Sequence, residues 1–310
     1  MKNIFPKVSV VMITYGHQNY IIEAIKSVVL QNYDGIIELI IANDCSPDNT
    51  DEIINNYLEN NSIPDNIEIK YTCHSENMGM MSNSFYALRQ VTGKYIAVCE
   101  GDDYWTDTLK LKKQVDFLEE NPDYEITFTN VNVIYEDGLE NKVSTLTPIK
   151  KDREYTGVEI LQTWCAHTST FVFRNNDNIV GKYENFYNIY KFSYGDTPLF
   201  LYLLQFGKAY GFIDYTSSYR RHLGGALSGK DAIKNVLGYI VYLKSINKAF
   251  NNKKYIKINN NRISAAYLGL FRDKNVTVNN RLNYFLKCIY YDPFLLIKII
   301  IEKTTKNINL

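Results

Sequence analysis

The chain has 310 residues, of which 45% are hydrophobic, enough for one large domain or two modest ones. Lysine plus arginine number 34 and aspartate plus glutamate also 34, so the formal net charge is zero. Without a global positive field, a nucleic-acid partner is disfavoured. Five scattered cysteines without a CxxC pair indicate a reducing compartment. No apolar run reaches the length of about eighteen residues that a membrane span needs, so we expect a cytoplasmic protein.

The first 100 residues alternate apolar runs with apolar residues at helical spacing. Ile21, Ala24, Ile25 and Val28 recur on one face of a predicted helix. Another helix is predicted through Phe85. The predicted strands around these helices are Val8–Ile13, Ile36–Ala42, Ile67–Thr72 and Tyr95–Cys99.

A polar cluster, Asn43–Asp48, closes the second predicted strand. Within it, Ser46 followed by Pro47 predicts an N-cap with proline at the first helical position, and a helix over Asp48–Asn60. Further predicted elements are strands at Ile126–Tyr135 and Thr170–Phe173 and helices through Leu111, through Leu282 and over Pro198–Phe206.

Strands that alternate with helices predict an α/β fold, with a mainly parallel sheet flanked by helices. From Asp231 onward only helical spacing recurs, so we expect one domain over residues 1–230 and a helical appendage over 231–310. Within the appendage, Pro293–Lys303 mixes apolar and lysine side chains. That mixture predicts an interfacial helix that contacts the inner leaflet of the membrane or a partner subunit. The alternative is a helix packed on the main domain.

Acidic residues follow the fourth predicted strand directly, at Glu100, Asp102 and Asp103. Ligands bind beyond the carboxyl ends of parallel strands, where Thr14, Tyr15 and Asp44 are also expected. Carboxylates at such a point suit Mg²⁺ or Mn²⁺ bound to a diphosphate. The alternative is a solvated acidic turn that caps the helix beginning near residue 109.

Tyr15 and Asp44 are candidates for reading a nucleobase. An aspartate can accept a hydrogen bond from a pyrimidine imide N–H, and an aromatic ring offers a stacking face. For each residue alone an ordinary role is favoured, as a helix-capping turn for Asp44 and as a half-buried tyrosine for Tyr15.

Three further candidates lie in the second half of the chain. Asp196, at a predicted loop–helix junction, is a candidate general base, with a helix N-cap as the alternative. The segment Tyr219–Ser228 carries Arg220, Arg221 and His222 ahead of paired glycines, and predicts a flexible cationic loop that closes on a diphosphate. His167 and Thr168 are candidates for lining the acceptor or sugar pocket.

Taken in this order, the motifs resemble those of the family 2 glycosyltransferases, which have the GT-A (Rossmann-like) fold. The likeness covers about the first 230 residues. The segments that carry it are VSVVMITYGHQNYIIEAIKSVVLQ (Val8–Gln31), ELIIANDCSPDNT (Glu38–Thr50), GKYIAVCEGDDYW (Gly93–Trp105), YGDTPLFLYLL (Tyr194–Leu204) and YRRHLGGALS (Tyr219–Ser228).

The resemblance implies roles for single residues. Thr14, Tyr15 and Asp44 match positions that contact the donor base, with a UDP-sugar favoured. Asp102 and Asp103 fall in the metal-binding Asp-x-Asp stretch, whose cofactor is Mn²⁺ or Mg²⁺. Asp196 matches the catalytic base of the inverting members. His222 and Arg220 match a loop that contacts the diphosphate.

The sequence departs from the family pattern at several motif positions. Gly16 stands where the family has Asn, and Asn43 and Cys45 replace an Asp and a Gly. Glu100 replaces the first Asp of the metal motif, so it is expected to contact ribose or metal-bound water differently, and Asp102 is the stronger candidate for the metal site.

The resemblance also implies a reaction and its setting. A carbohydrate or lipid-linked glycan hydroxyl is expected to displace the nucleoside diphosphate with inversion, in capsule, lipopolysaccharide or other cell-surface polysaccharide assembly. A dinucleotide-dependent dehydrogenase is disfavoured because no G-x-G-x-x-G follows the first strand. A sugar nucleotidyltransferase and a binding module without turnover remain as alternatives.

Overall fold

The computed structural model describes residues 5–136, 146–176, 178–222 and 232–295. The chain divides into two compact units. The sheet unit comprises Met1–Phe186 and Gly195–Ser228, and the helical unit comprises Tyr187–Tyr194 and Gly229–Leu310. The sequence alone did not indicate that the short segment before Gly195 groups with the C-terminal helices.

The first part of the sheet unit alternates strands and helices, as the sequence predicts. Its strands β1 and β2 are apolar and buried almost throughout, which is typical of a parallel sheet covered by helices on both faces. The elements are β1 (Val8–Thr14), α1 (Ile21–Val29), β2 (Ile37–Asn43), α2 (Thr50–Asn60), β3 (Ile67–Cys73), α3 (Met80–Leu88) and β4 (Tyr95–Val98).

The second part of the sheet unit is less regular. Its elements are β5 (Tyr104–Trp105), α4 (Lys110–Glu120), β6 (Tyr124–Tyr135), β7 (Arg153–Tyr155), α5 (Gly157–Gln162), β8 (Val172–Arg174), α6 (Ile179–Tyr190), α7 (Asp196–Leu203) and β9 (Lys208–Arg221). The last four residues of α6 belong to the helical unit. The predicted strand at Ile126–Tyr135 is confirmed as β6. The long strand β9 was not predicted, because its tyrosines, serines and arginines do not follow a clean two-residue alternation.

The described strands form one sheet in the order β3-β2-β1-β4-β8-β6-β9-β5, with β7 paired to β9. β3, β2, β1 and β4 are mutually parallel, whereas β8 is antiparallel to both β4 and β6. The predicted α/β class with a mainly parallel sheet flanked by helices is confirmed. The main hydrophobic core packs β1, β2 and β4 against α1 and α4, with Val10, Ile25, Leu39 and Val115 fully buried.

The predicted N-cap at Ser46 is wrong. Helix α2 begins at Thr50, after a turn in which Cys45 adopts a positive φ of 56°. The Ser46 hydroxyl instead donates to Asn43 Oδ1 at 2.6 Å and accepts from the Gly16 N–H at 3.0 Å. Ser46 therefore links the ends of β1 and β2, which local sequence cannot reveal.

The helical unit contains α8 (Ala232–Phe250), α9 (Lys253–Arg272) and α10 (Val278–Tyr291). The all-helical prediction is confirmed for these described residues. Within the described ranges, no helix combines the length and the apolar content needed to cross a bilayer. Most of the predicted interfacial stretch Pro293–Lys303 lies outside the described residues, which end at Leu295.

Candidate active site

The ends of β1 and β2 and the turn after β4 meet at one edge of the sheet. The Asp44 N–H donates to the Thr14 carbonyl at 3.0 Å, and the Gly101 N–H donates to the Ile13 carbonyl at 2.9 Å. A Cβ at position 101 would lie 2.8 Å from Thr14 Oγ1, so the close approach of the acidic turn to β1 requires glycine there. The expected meeting of the strand ends is thereby observed.

Asp102 is flanked by two histidines from distant parts of the chain. His222 Nε2 lies 3.2 Å from Asp102 Oδ2, and His17 Nε2 lies 3.8 Å from the same oxygen. Burial acts to raise the pKa of Asp102, but the His222 hydrogen bond and the electrostatic interactions with His17 and His222 outweigh it and lower the pKa. Asp102 is therefore an ionised carboxylate at neutral pH.

Asp103 points the other way, into the protein. Its Oδ1 accepts the Arg220 backbone N–H at 2.9 Å. Its Oδ2 is buried and has no hydrogen-bond partner within the described part of the chain. Burial and the neighbouring charges of Asp102 and Glu100 raise the pKa of Asp103. An unpaired buried carboxylate oxygen is costly, so it points to a proton or a cation at this position.

His167 faces the unpaired oxygen, with Nδ1 3.6 Å from Asp103 Oδ2. The ring stacks near Tyr219, with centroids 4.1 Å apart, and Nδ1 accepts from the Ser169 N–H. Burial lowers the pKa of His167 to about 4, so the ring is neutral and its proton resides on Nε2. Its neighbour Thr168 begins a short 3-10 turn, Thr168–Thr170.

Arg220 belongs to strand β9 rather than to a flexible loop, which corrects the expectation for Tyr219–Arg221. The guanidinium donates to Glu23 Oε2, to Glu136 Oε1 at 2.7 Å and to the carbonyl of Asp102. Rings of two tyrosines lie within about 5 Å of it. A diphosphate would have to compete with these partners, so in this arrangement Arg220 fixes the acidic turn. The rest of the expected cationic loop, residues 223–228, lies outside the described residues.

Asp44 is buried at the end of β2. Its two carboxylate oxygens accept the backbone N–H groups of Met78 and Gly79, at 2.8 and 2.9 Å, just before α3. Each oxygen keeps a second lone pair for a ligand. Tyr15 follows Thr14, whose carbonyl accepts the Asp44 N–H, and Met78 and Met80 flank Gly79. The side chains of all three are about half exposed.

Asp196 is the first residue of α7, preceded by Gly195 at the N-cap position. Its Oδ1 accepts the adjacent Thr197 N–H at 2.6 Å from within the first turn, whereas the N-cap position itself is held by Gly195, which has no side chain. Burial raises the pKa of Asp196. The pKa of Glu100 is raised first by burial, next by the charge of Asp102 and then by the charge of Asp196. These three carboxylates therefore interact electrostatically.

The acidic turn does not cap the following helix. The turn before α4 is formed by Asp107 instead, whose Oδ1 accepts the N–H of the N-cap residue Leu109 at 2.8 Å. That finding removes the structural alternative for Glu100, Asp102 and Asp103. The sequence did not predict a role for His17, because the local segment TYGH matches no pattern for a binding site. The role is visible only in the structure, where His17 lies beside Asp102.

A family model for glycosyl transferase family 2 matches residues 9–195, which is more than half of the chain. The chain belongs to this family. Its relatives include an uncharacterised protein of Mycobacterium tuberculosis, 37% identical over 166 residues that cover 54% of this chain and 46% of the relative. A putative teichuronic acid biosynthesis glycosyltransferase of Bacillus subtilis is 30% identical, covering 51% of this chain and 66% of that protein. The chain thus matches about half the length of the first of these relatives.

Solved structures share the family fold. TarS of S. aureus in complex with UDP-GlcNAc superposes with a TM-score of 0.65 at 17% identity, covering 92% of this chain and 81% of that one. The mannosyltransferase PcManGT of Pyrobaculum calidifontis, in complex with GDP-Man and Mn²⁺, gives a TM-score of 0.53 at 13% identity, with coverages of 94% and 83%. These similarities establish the GT-A fold that the sequence predicts.

Among the described residues of this family 2 glycosyltransferase, two groups of side chains fit a divalent cation. The first group is His17, Asp102 and His222. In each group the possible ligand atoms lie within 4.8 Å of one another. The other is Glu100, Asp103 and His167, and it includes the buried Oδ2 that lacks a partner. Both groups combine carboxylate oxygen with imidazole nitrogen, a donor set compatible with a divalent metal.

Proposed function

We propose that the protein transfers a sugar from a UDP-sugar to a carbohydrate hydroxyl with inversion at the anomeric carbon. The observation that carries the proposal is that the ends of β1 and β2 meet the Glu100–Asp103 turn in a chain of this family. The charge of Asp196 contributes to the raised pKa of Glu100 in that turn. A nucleotide-binding edge and a candidate base then belong to one site.

The nucleobase is proposed to bind near Tyr15 and Asp44. Tyr15 supplies a half-exposed ring for stacking, and Asp44 has lone pairs free beyond those used by Met78 and Gly79. A carboxylate acceptor selects the protonated imide N3 of uracil over cytosine, whose N3 carries no proton. Complexes of the similar TarS with UDP-GlcNAc and with UDP support a uridine nucleotide.

The diphosphate is proposed to bind at the acidic turn together with a divalent ion. Asp102, with His17 and His222 beside it, is proposed to hold the ion. Nitrogen donors favour Mn²⁺ over Mg²⁺, whose preferred ligands are oxygens, and the similar PcManGT was solved with Mn²⁺. When bound, the ion would offset the negative charge that develops on the leaving diphosphate.

Asp196 is proposed as the general base. Its carboxylate takes the proton of the acceptor hydroxyl while the hydroxyl oxygen bonds to the anomeric carbon. The bond from that carbon to the phosphate oxygen breaks, and the nucleoside diphosphate leaves with the bonding electrons. The raised pKa of Asp196 makes it a stronger base than an exposed aspartate, which suits this step.

The acceptor is proposed to be a growing cell-surface glycan. The support is the B. subtilis relative, which bears the name of a putative teichuronic acid biosynthesis glycosyltransferase. His167 and Thr168 begin a short turn beside the acidic groups and remain candidates for contacts to the sugar or acceptor.

The test is release of nucleoside diphosphate from a panel of UDP-, GDP- and CDP-linked sugars, with Mn²⁺ or with EDTA. We expect turnover of UDP-sugars that EDTA abolishes. Tighter binding of GDP than of UDP in calorimetry would overturn the assignment of Asp44. Binding of UDP-sugars without any turnover, with or without an acceptor, would favour a binding module instead. Formation of a nucleotide-sugar from a sugar phosphate and UTP would favour a nucleotidyltransferase.

A further inference from the structure

Helix α10 carries an exposed apolar stripe along one side. Val278, Leu282, Leu286 and Tyr290 follow each other at intervals of four residues, and they are 78%, 60%, 60% and 82% exposed. Ile289 extends the same side. At about 100° per residue, these five side chains fall within an arc of about 120°, which also contains the exposed Asn279 near one end of the helix. The opposite side of the helix is occupied, because Cys288 is buried and accepts a hydrogen bond from Ser264 of α9 through its carbonyl.

Two cations border this stripe on α10. By the same helical geometry, Arg281 lies about 60° to one side of the apolar arc and Lys287 about 60° to the other. Both side chains also have contacts inside the helical unit, since Arg281 Nη2 donates to the Lys274 carbonyl at 2.9 Å and Lys287 Nζ lies 5.5 Å from the centre of the Tyr267 ring. Exchanging these contacts for a polar boundary would keep their stems over apolar surface. An apolar arc with a basic residue on each flank is the arrangement of a helix that lies in the plane of a membrane surface.

The helical unit carries a large excess of positive charge. Residues 232–295 contain eleven lysines and arginines but only two acidic residues, Asp273 and Asp292. The whole chain is nevertheless neutral, so the positive charge is concentrated in this unit. Each basic residue close to an anionic bilayer adds to the attraction.

This charge decides between two occupants of the stripe. A second copy of the chain would bring together two copies of residues 232–295, each with a net charge of +9, which repel. An anionic lipid surface offers the opposite charge together with an apolar layer for the five side chains. We propose that α10 docks the protein on an anionic membrane surface through its Val278–Tyr290 stripe. This proposal is independent of the donor and of the base assigned above.

The experiment is flotation of the full chain with vesicles of phosphatidylcholine, with and without phosphatidylglycerol. We expect binding only to the anionic vesicles and a loss of binding as salt is raised. The apolar variant is Leu282→Glu with Leu286→Glu, which should abolish binding. Its control is Leu30→Glu with Leu109→Glu, two exposed leucines of the sheet unit that undergo the same change in charge, and this variant should bind like the wild type.

A second pair of variants tests the charges. Arg281→Gln with Lys287→Gln should weaken partitioning by about thirtyfold, since about 1 kcal/mol per charge is about a factor of five. The control, Lys150→Gln with Lys151→Gln, removes two exposed charges from the sheet unit. Circular dichroism and thermal unfolding establish that each variant is folded.

Three results would overturn the proposal. One is the absence of flotation with anionic vesicles at low salt. Another is equal binding to neutral and anionic vesicles. The third is a dimer, measured by light scattering, that the Leu282→Glu, Leu286→Glu variant converts to a monomer without any change in vesicle binding, because then a second copy covers the stripe.

Discussion

The imidazole of His222 reaches the carboxylate of Asp102, with Nε2 3.2 Å from Oδ2, although the two residues are 120 positions apart in the sequence. The contact exists because β9 runs beside the acidic turn, where the Arg220 N–H donates to Asp103. It gives Asp102 a fixed orientation and a lowered pKa. A carboxylate held in this way is prepared to bind a cation without first losing a proton.

Asp102→Asn should separate metal-dependent from metal-independent nucleotide binding. With Mn²⁺ present, we expect UDP affinity to fall by about ten- to a hundredfold, because the variant loses a ligand charge. With EDTA, the affinity of wild type and variant should be the same. Calorimetry under both conditions makes the comparison, with Asp65→Asn, an exposed aspartate, as the control. An equal loss in EDTA would assign Asp102 a purely structural role.

The sequence predicts much of the fold because buried parallel strands are continuous apolar runs and their ends carry the polar residues. Thr14, Asp44 and the acidic turn could be grouped for this reason alone. The partners of these groups could not be predicted. His17 and His222 beside Asp102, and Glu23 and Glu136 around Arg220, are brought together by tertiary pairing rather than by any local pattern.

Secondary structure was hardest to predict where polar residues fill regular elements. Helix α9 contains three consecutive asparagines, which are weak helix formers, yet Asn259 is fully buried and donates to Asn247 of α8 at 2.8 Å. Packing between helices therefore overrides local propensity there. The N-cap predicted at Ser46 is wrong for a similar reason, since its hydroxyl accepts a hydrogen bond from the Gly16 N–H, just after the end of the neighbouring strand β1.

Glu38 should make stability depend on pH in the acidic range. Its buried carboxylate accepts bonds from Lys70, Ser9 and Thr92. Burial acts to raise its pKa, but these bonds outweigh it and lower the pKa from 4.5 to about 2. The stabilisation, about 3 kcal/mol by linkage, is therefore fully present above pH 4.5 and lost as pH falls towards 2.

Urea unfolding of Glu38→Gln and wild type across this pH range tests the prediction. The difference in the free energy of unfolding should be largest near neutral pH and shrink below pH 4.5. Glu68→Gln is the control, because its ion pair with Lys7 is exposed and should contribute less than about 1 kcal/mol. A Glu38→Gln difference that stays constant with pH would contradict the account.

The transfer rate should have an acidic limb set by Asp196. Burial raises the pKa of this carboxyl, so it is protonated, and unable to accept the acceptor's proton, at pH values where an exposed aspartate is still ionised. We expect kcat to fall about tenfold per pH unit below that pKa. The pH profile of kcat is measured for wild type and Asp196→Asn. Persistence of the same limb in the variant would show that another group titrates.

The most direct measurement is sugar transfer by Asp196→Asn beside its affinity for UDP. The amide keeps the size of the side chain but cannot take the acceptor's proton, so we predict a rate loss of about a hundred- to ten-thousandfold. UDP affinity should stay within about threefold, since the nucleotide is held at separate strand ends. Asp65→Asn should transfer like the wild type. Transfer by Asp196→Asn within about threefold of the wild type would contradict the assignment of Asp196 as the base.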